Sequence, residues 1–321
     1  MAQPTLLTFG PSNVDETLTY TMANMIPGIK DNIFNDNTAL GWLYSTAKET
    51  KRGGASLSHA VGYGKNTTAQ SYSRYDQLNV TPQDNKTRDQ WNWKQYATTV
   101  SIDGFTSRVA NRGEWALVDA MQEKRDEAEN SIKDLLEQDI FRASPSTTDL
   151  RSLPNLVLAS GTEGNINGTT NSWWQASVGT AGSWAQGVGR STLTNTLNTI
   201  AKRNPVGPAE ILISDQTSIE AYEGTLVAQY RYATGESRDA QGGKLLFKEI
   251  PWIWSVQATS GVIYALHSKA IKFYINSDTD FIVEPFVKPA NQDAKVSQIL
   301  FAGALTACVR RKLGRTNSNA A

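Results

Sequence analysis

The sequence predicts an α+β protein built in several parts, and three observations carry that reading. From Ala55 an alternating run sets Leu57, His59 and Val61 on one side, and a second alternating run starts at Trp91. Residues 113–142 hold the clearest helical pattern. Beyond Pro154 short helices and strands follow one another to the basic C-terminal end. With 321 residues and 39% apolar content there is material for a buried core, and length allows one or two domains.

Taken in order, residues 14–34 place Leu18, Met22, Met25, Ile26 and Ile29 at near-helical spacing, an amphipathic arm interrupted by Pro27 and Gly28. Asn37 to Ala47 reads as a short helix with Leu40 and Leu43 on one face, and Lys51, Arg52, Gly53, Gly54 as a turn. The second alternating run changes phase between Trp91, Trp93 and Tyr96, Val100, Ile102, so a bulge is expected near Gln95. Gly64 to Gln90, polar apart from Tyr72, Tyr75, Leu78 and Val80, is longer than a loop without a task should be.

The long helix aligns Val118, Met121, Ala128, Ile132 and Leu135, and at about 1.5 Å per residue it extends roughly 45 Å. Residues 113–142 hold nine acids and four bases, a net of −5 within a chain balanced overall at 31 acidic and 31 basic residues. A further helix is expected at Thr192 to Lys202, a strand at Glu210 to Ser214, and Asp215 as the cap of a helix reaching Tyr230. Strands follow at Lys244 to Ile250, Ile253 to Gln257, Val262 to Leu266, Ile271 to Ile275, Phe281 to Val287 and Val296 to Val309. Arg310, Arg311, Lys312 and Arg315 form the basic end.

Composition excludes several functions. Zero formal charge gives no general attraction to nucleic acid, so DNA contact is expected to be local or weak. The single cysteine, Cys308, permits no intrachain disulfide and argues against a Cys-based zinc site. No run is apolar enough to span a bilayer and no signal peptide opens the chain, so a cytoplasmic product is expected. Tripeptides at Asn66, Asn85 and Asn167 match the glycosylation pattern, which means nothing without secretion.

Only His59 and His267 could serve a triad, and no Gly-x-Ser-x-Gly elbow accompanies them. The glycines at 179, 182, 187 and 189 lack the Lys-Ser/Thr of a phosphate loop. The nine tryptophans are distinctive: Trp91, Trp93, Trp173, Trp174 and Trp184 stand in polar surroundings, which suits sugar stacking, protein interfaces or a core position. Geometry helps choose. Hairpin arms of about 18 residues would reach about 60 Å, against a radius of gyration of about 20 Å for a compact chain of this length. Such a hairpin should lie on a neighbouring subunit, with Trp91 or Trp93 as anchor.

The wording then points to a family. Gly53-Gly54 before a strand, Tyr63-Gly-Lys-Asn66, Tyr72-Ser-Arg-Tyr75-Asp76-Gln-Leu78, Trp93-Lys-Gln and Val100-Ser-Ile-Asp-Gly104 resemble the extended loop of tailed-bacteriophage major capsid proteins. Asn111-Arg-Gly113 looks like the start of their spine helix, Asn171-Ser-Trp173-Trp174 like a recurring middle loop, and Asn291-Gln-Asp-Ala294 with Arg310-Arg311 like the last strand of the peripheral domain. In the order of these motifs, nearly the whole chain resembles that family.

The resemblance implies an N-terminal arm (1–50), an extended β-hairpin loop (51–103), a peripheral domain (104–150 and 276–321) with spine helix 113–142, and an axial domain (151–275). It implies hexamers and pentamers closing into an icosahedral shell around double-stranded DNA in the virion, assembled in the host cytoplasm. Neither cofactor nor reaction is implied. Scaffolding, portal and decoration proteins are the further partners. Candidate inter-subunit contacts are Tyr72, Tyr75, Trp91, Trp93, Lys65 and Arg74; candidate lumen-facing residues are Glu123, Glu127 and Glu137. In some relatives a loop lysine is cross-linked to a neighbour's asparagine, and Lys65, Lys86 and Lys94 are candidates by position only. Gly164-Asn-Ile-Asn-Gly168 departs from the acidic, Arg-bearing version expected before the paired tryptophans. Two alternatives stay open: an encapsulin-like compartment of the same fold, and a carbohydrate-binding or carbohydrate-cleaving virion protein.

Overall fold

The computed structural model describes residues 37–104, 120–180, 182, 184, 187–202, 208–230, 245–290 and 292–317. The arm read at 14–34, the opening of the spine helix at Asn111-Arg-Gly113 and the side chain of Glu123 lie outside what is described. In chain order the elements are α1 (Thr38–Trp42), β1 (Lys48–Lys51), β2 (Ala60–Gly62), β3 (Lys86–Arg88), β4 (Lys94–Asp103), α2 (Ala120–Phe141) and α3 (Leu153–Leu156). Then come β5 (Thr162–Glu163), β6 (Ile166–Asn167), β7 (Ser177–Gly179), α4 (Val188–Lys202), β8 (Ile211–Ser214) and α5 (Gln216–Tyr230). The rest is strand: β9 (Leu246–Phe247), β10 (Ile250–Trp254), β11 (Val262–Leu266), β12 (Ile271–Asn276), β13 (Ile282–Val283), β14 (Ala294–Ala307) and β15 (Gly314–Asn317).

The described residues form two compact units, one within Tyr96–Asp134 and Thr279–Phe301, the other within Asp36–Gln95, Leu135–Asp278 and Ala302–Ala321. The larger unit is organised on a six-stranded sheet in the order β7-β15-β11-β8-β10-β9. β8 runs parallel to β10, and β11 is antiparallel to both β8 and β15. All five residues of β11 are buried, so its sequence is continuously apolar instead of alternating. Leu193, Leu197 and Ile200 recur on one face of α4 and pack with Trp184, Tyr222, Phe247, Trp252 and Ile263. Close approach of helix to sheet depends on Gly314, where an added Cβ would sit 2.2 Å from Ile200 Cδ1.

The same unit holds β1 parallel to β12, with Lys48 opposite Phe273, and β12 antiparallel to the end of β14, with Tyr274 opposite Ala304. In the smaller unit β13 pairs with the first half of β14 through Ile282–Leu300 and Val283–Ile299. Its core gathers Tyr96, Val100, Ala128, Ile132 and Phe301, all buried. Phe301 lies between the rings of Phe281 and Tyr96, at centroid distances of 4.9 and 6.3 Å.

Several expectations need correction. The buried stripe of α2 passes through Leu136 and Ile140, while Leu135 is 41% exposed, because four-residue steps from Ala128 and Ile132 arrive at 136 and 140. Two segments replace the single bulged strand. Trp91 makes an isolated bridge with Leu57, β4 begins at Lys94, and the buried phase moves to Tyr96 and Val100 across that interval. The strand expected at Ile253 to Gln257 is centred earlier, on β10. At the basic end Arg310 and Lys312 are buried, and β15 joins β11 in the six-stranded sheet.

Candidate inter-subunit site

The hairpin between Gly53 and Trp93 has two parts of different construction. Gly53 and Gly54 enter it with φ of 63° and 100°, left-handed values that favour glycine. At the root, β2 and β3 pair antiparallel through Ala60–Arg88, Val61–Thr87 and Gly62–Lys86. These few rungs and the Leu57–Trp91 bridge replace the long paired arms expected from the sequence.

A buried polar cluster seats this root. Asp89 is fully buried, and its carboxylate accepts hydrogen bonds from His59 N, from His59 Nδ1 at 2.8 Å and from Trp91 Nε1 at 2.8 Å. His59 Nε2 lies 3.1 Å from the Tyr274 hydroxyl of β12, and the two rings stack. Burial works against a charge on His59, but Asp89 and Cys308 beside it outweigh burial and push its pKa up to about 9.

From the other side the root is met by the β5–β6 hairpin. Gly164 and Asn165 form its two-residue turn with φ of 59° and 64°, the values a type I′ connection requires. A Cβ on Gly164 would sit 3.0 Å from both Asp89 Cβ and the Trp91 ring, so glycine answers conformation and packing together. Gln90 N donates to Gly164 O, and Asn165 Nδ2 donates to Gln90 Oε1. The Gly164-to-Gly168 departure therefore makes the contacts of this loop. Behind it, the buried Arg310 guanidinium donates to the carbonyls of Leu156, Asn155, Ser160 and Gly161, which holds the preceding loop in place. Arg151 pairs with Glu163 through both nitrogens of its fork.

The tip is different. Tyr72, Leu78, Tyr75 and Val80 are exposed, the last two at 94% and 90%. Lys65 and Arg74 are exposed beside them. Short-range bonds shape the loop: Ser73 N donates to Asp76 Oδ2, Thr67 Oγ1 to Gln83 Oε1, and Tyr63 Oη to Asp84 O. The Asn66 carboxamide oxygen accepts from Thr68 N and Thr68 Oγ1, and Asn79 serves Thr81 in the same way. Asn167 accepts from Thr169 N. The Asn-x-Thr pattern at Asn66 and Asn167 is thus turn chemistry.

The tryptophans divide accordingly. Trp91 is buried within its own subunit, which overturns its candidacy as an anchor on a neighbour. Trp93 is half-buried, and its Nε1 donates to Gly54 O at 2.9 Å, a bond that closes the hairpin entrance. Trp174 and Trp184 are in the core, so their rings are not open to a sugar, and the half-buried Trp173 stacks on Tyr63. Lys86 is exposed, whereas Lys94 Nζ donates to Thr147 O.

Of the acids on the long helix, Glu127 is exposed, but Glu137 is buried and its candidacy as a lumen-facing residue is overturned. Its carboxylate accepts from Leu40 N at 2.7 Å, Ala39 N at 3.2 Å and Ser255 Oγ at 2.7 Å, tying α1 and the turn after β10 to α2. Among the described residues no group of three His, Cys, Asp or Glu side chains is placed to hold a metal ion, and no helix is long and apolar enough to cross a membrane.

No family model and no curated protein matches the chain. Solved structures do match. The chain is similar to the capsid protein of cyanophage A-1(L), with a TM-score of 0.67 at 10% identity over 94% of this chain and 98% of that one. It is similar to the capsid protein of an empty GTA particle, with a TM-score of 0.62 at 10% identity over 91% and 99%. The holo-SrpI encapsulin of Synechococcus elongatus PCC 7942 follows with 0.56 at 11% identity over 96% of each chain. The fold is that of tailed-phage capsid proteins, which the encapsulin shares.

Proposed function

We propose that this chain is the major capsid protein of a tailed phage, a structural subunit that assembles as hexamers and pentamers into an icosahedral shell around double-stranded DNA. One observation supports this most strongly: in a chain of that fold, a hairpin with a rigid root presents Tyr72, Tyr75, Leu78 and Val80 to solvent at its tip. Clustered exposed aromatic and aliphatic side chains are the usual material of an interface. The tip's internal bonds reduce the ordering cost of docking. On this reading Tyr72, Tyr75, Arg74 and Lys65 contact an adjacent copy, and Trp93 steadies the hairpin entrance. The six-stranded sheet is the framework of the axial domain, and 1–50 is the arm. The exposed acids of α2, Glu127 among them, face the lumen, where like charge keeps phosphate from adhering. Scaffolding, portal and decoration proteins are the further partners such a shell can use, and the function needs no chemistry.

An encapsulin-like compartment is the second reading, favoured by the likeness over 96% of both chains. Electron microscopy of the protein from phage-infected cells, with the particle contents analysed, tests both. Closed particles filled with DNA are expected. Closed particles filled with a protein cargo would favour the compartment. A monomer at every concentration and salt, with scaffolding protein present, would overturn both.

A further inference from the structure

We propose that the His59–Asp89 pair is a titratable latch, tight at neutral pH and weakened in alkaline solution, that fixes the hairpin root on strand β12. The inference concerns the single subunit and goes beyond assembly. His59 immediately precedes β2 and Asp89 immediately follows β3, so the bond from Nδ1 at 2.8 Å clamps the two sides of the hairpin root together. The same imidazole reaches Tyr274 on β12 through Nε2, and it stacks there at 5.6 Å. One ring therefore joins three segments.

Asp89 makes the latch depend on charge. A fully buried carboxylate is costly without a countercharge. Its three donors come from His59 and Trp91, and His59 is the one that can carry a positive charge. The other titratable or charged groups packed around the imidazole are Tyr274 on β12 and Cys308 just beyond β14. Around Tyr274, the Lys51 ammonium lies 4.8 Å from the ring centroid, and Glu49 hydrogen-bonds the hydroxyl while Lys272 pairs with Glu49 at 2.7 Å. The His59 pKa is held at about 9 against an ordinary 6.5. The stabilisation that depends on the imidazolium charge is thus complete below about 6.5 and disappears as pH rises through about 9. A neutral imidazole keeps a hydrogen bond to Asp89 and loses the countercharge.

Hydrogen–deuterium exchange of the assembly-blocked subunit, corrected for intrinsic exchange, tests the latch on peptides covering 55–64 and 84–92. Root protection should fall at least about tenfold between about pH 7 and about pH 10, since one pKa unit is tenfold in the equilibrium. A peptide over β11 should stay protected throughout. His59→Gln should show low root protection and no step, and Cys308→Ala should keep a step displaced to lower pH. The latch is overturned if the wild-type step is absent, if β11 loses protection with it, if the step survives in His59→Gln, or if it vanishes in Cys308→Ala. Should His59→Gln fail to fold, the wild-type and Cys308→Ala curves decide. None of these outcomes depends on shells forming, so the latch and the capsid reading fail separately.

Discussion

At the root of the hairpin Leu57, Val61, Asp89 and Trp91 are buried and bonded inside the chain, whereas at its tip Tyr72, Tyr75, Leu78 and Val80 stand in solvent on a loop shaped by its own side chains. Both ends are rich in large side chains, and among the described residues the root's are buried while the tip's are exposed. The root's residues are thus explained by this fold. On the capsid reading the exposed tip residues find their surface on an adjacent copy.

The contrast predicts a ranking of effects on the isolated subunit. Trp91→Ala should cost the most, about 3–5 kcal/mol in chemical denaturation, as large core truncations do. A change below about 0.5 kcal/mol, the surface norm, would put Trp91 outside the core and erase the difference between root and tip. Next comes Glu137→Ala, which removes the acceptor from two backbone amides and the Ser255 hydroxyl; a loss of about 3 kcal/mol is expected. Gly164→Ala should follow at about 1–3 kcal/mol, since its φ of 59° is strained for alanine and the new methyl meets Trp91. An unchanged melting temperature would show that the β5–β6 turn does not brace the root. Smallest of all, Glu127→Lys should shift stability by no more than about 0.5 kcal/mol while raising the nucleic acid retained by assembled particles. Particles with unchanged nucleic acid content would remove Glu127 from the lumen.

Much of the fold was legible because hydrophobic periodicity reports burial directly. Leu40 and Leu43, the run from Leu57 to Val61, β11 and β12 all stand where their patterns put them. The misreadings share a cause: each concerns a polar or amphipathic side chain whose environment is set by distant segments. Glu137 resembles the other acids of its helix until Leu40 and Ser255 are brought against it. Arg310 reads only as part of a basic end until carbonyls from 155–161 are brought against it. Trp91 lies in polar sequence, yet Gly164, 73 positions away, leaves the space its ring fills. Its neighbour two positions on, Trp93, is only half-buried. The tip was legible for the opposite reason. Apolar residues in a long polar loop have no local use, and the structure leaves them exposed.

The most direct test of the central claim is assembly by the Tyr72→Ala, Tyr75→Ala double variant, followed by sedimentation and electron microscopy beside denaturation of the unassembled subunit. Both rings are exposed, so subunit stability should stay within about 0.5 kcal/mol of wild type. Shells should be few, or should fall apart on mild heating, because the same lost contact recurs at every equivalent position. Wild-type yield and heat stability of the shells would contradict the account, and so would a variant subunit that no longer folds.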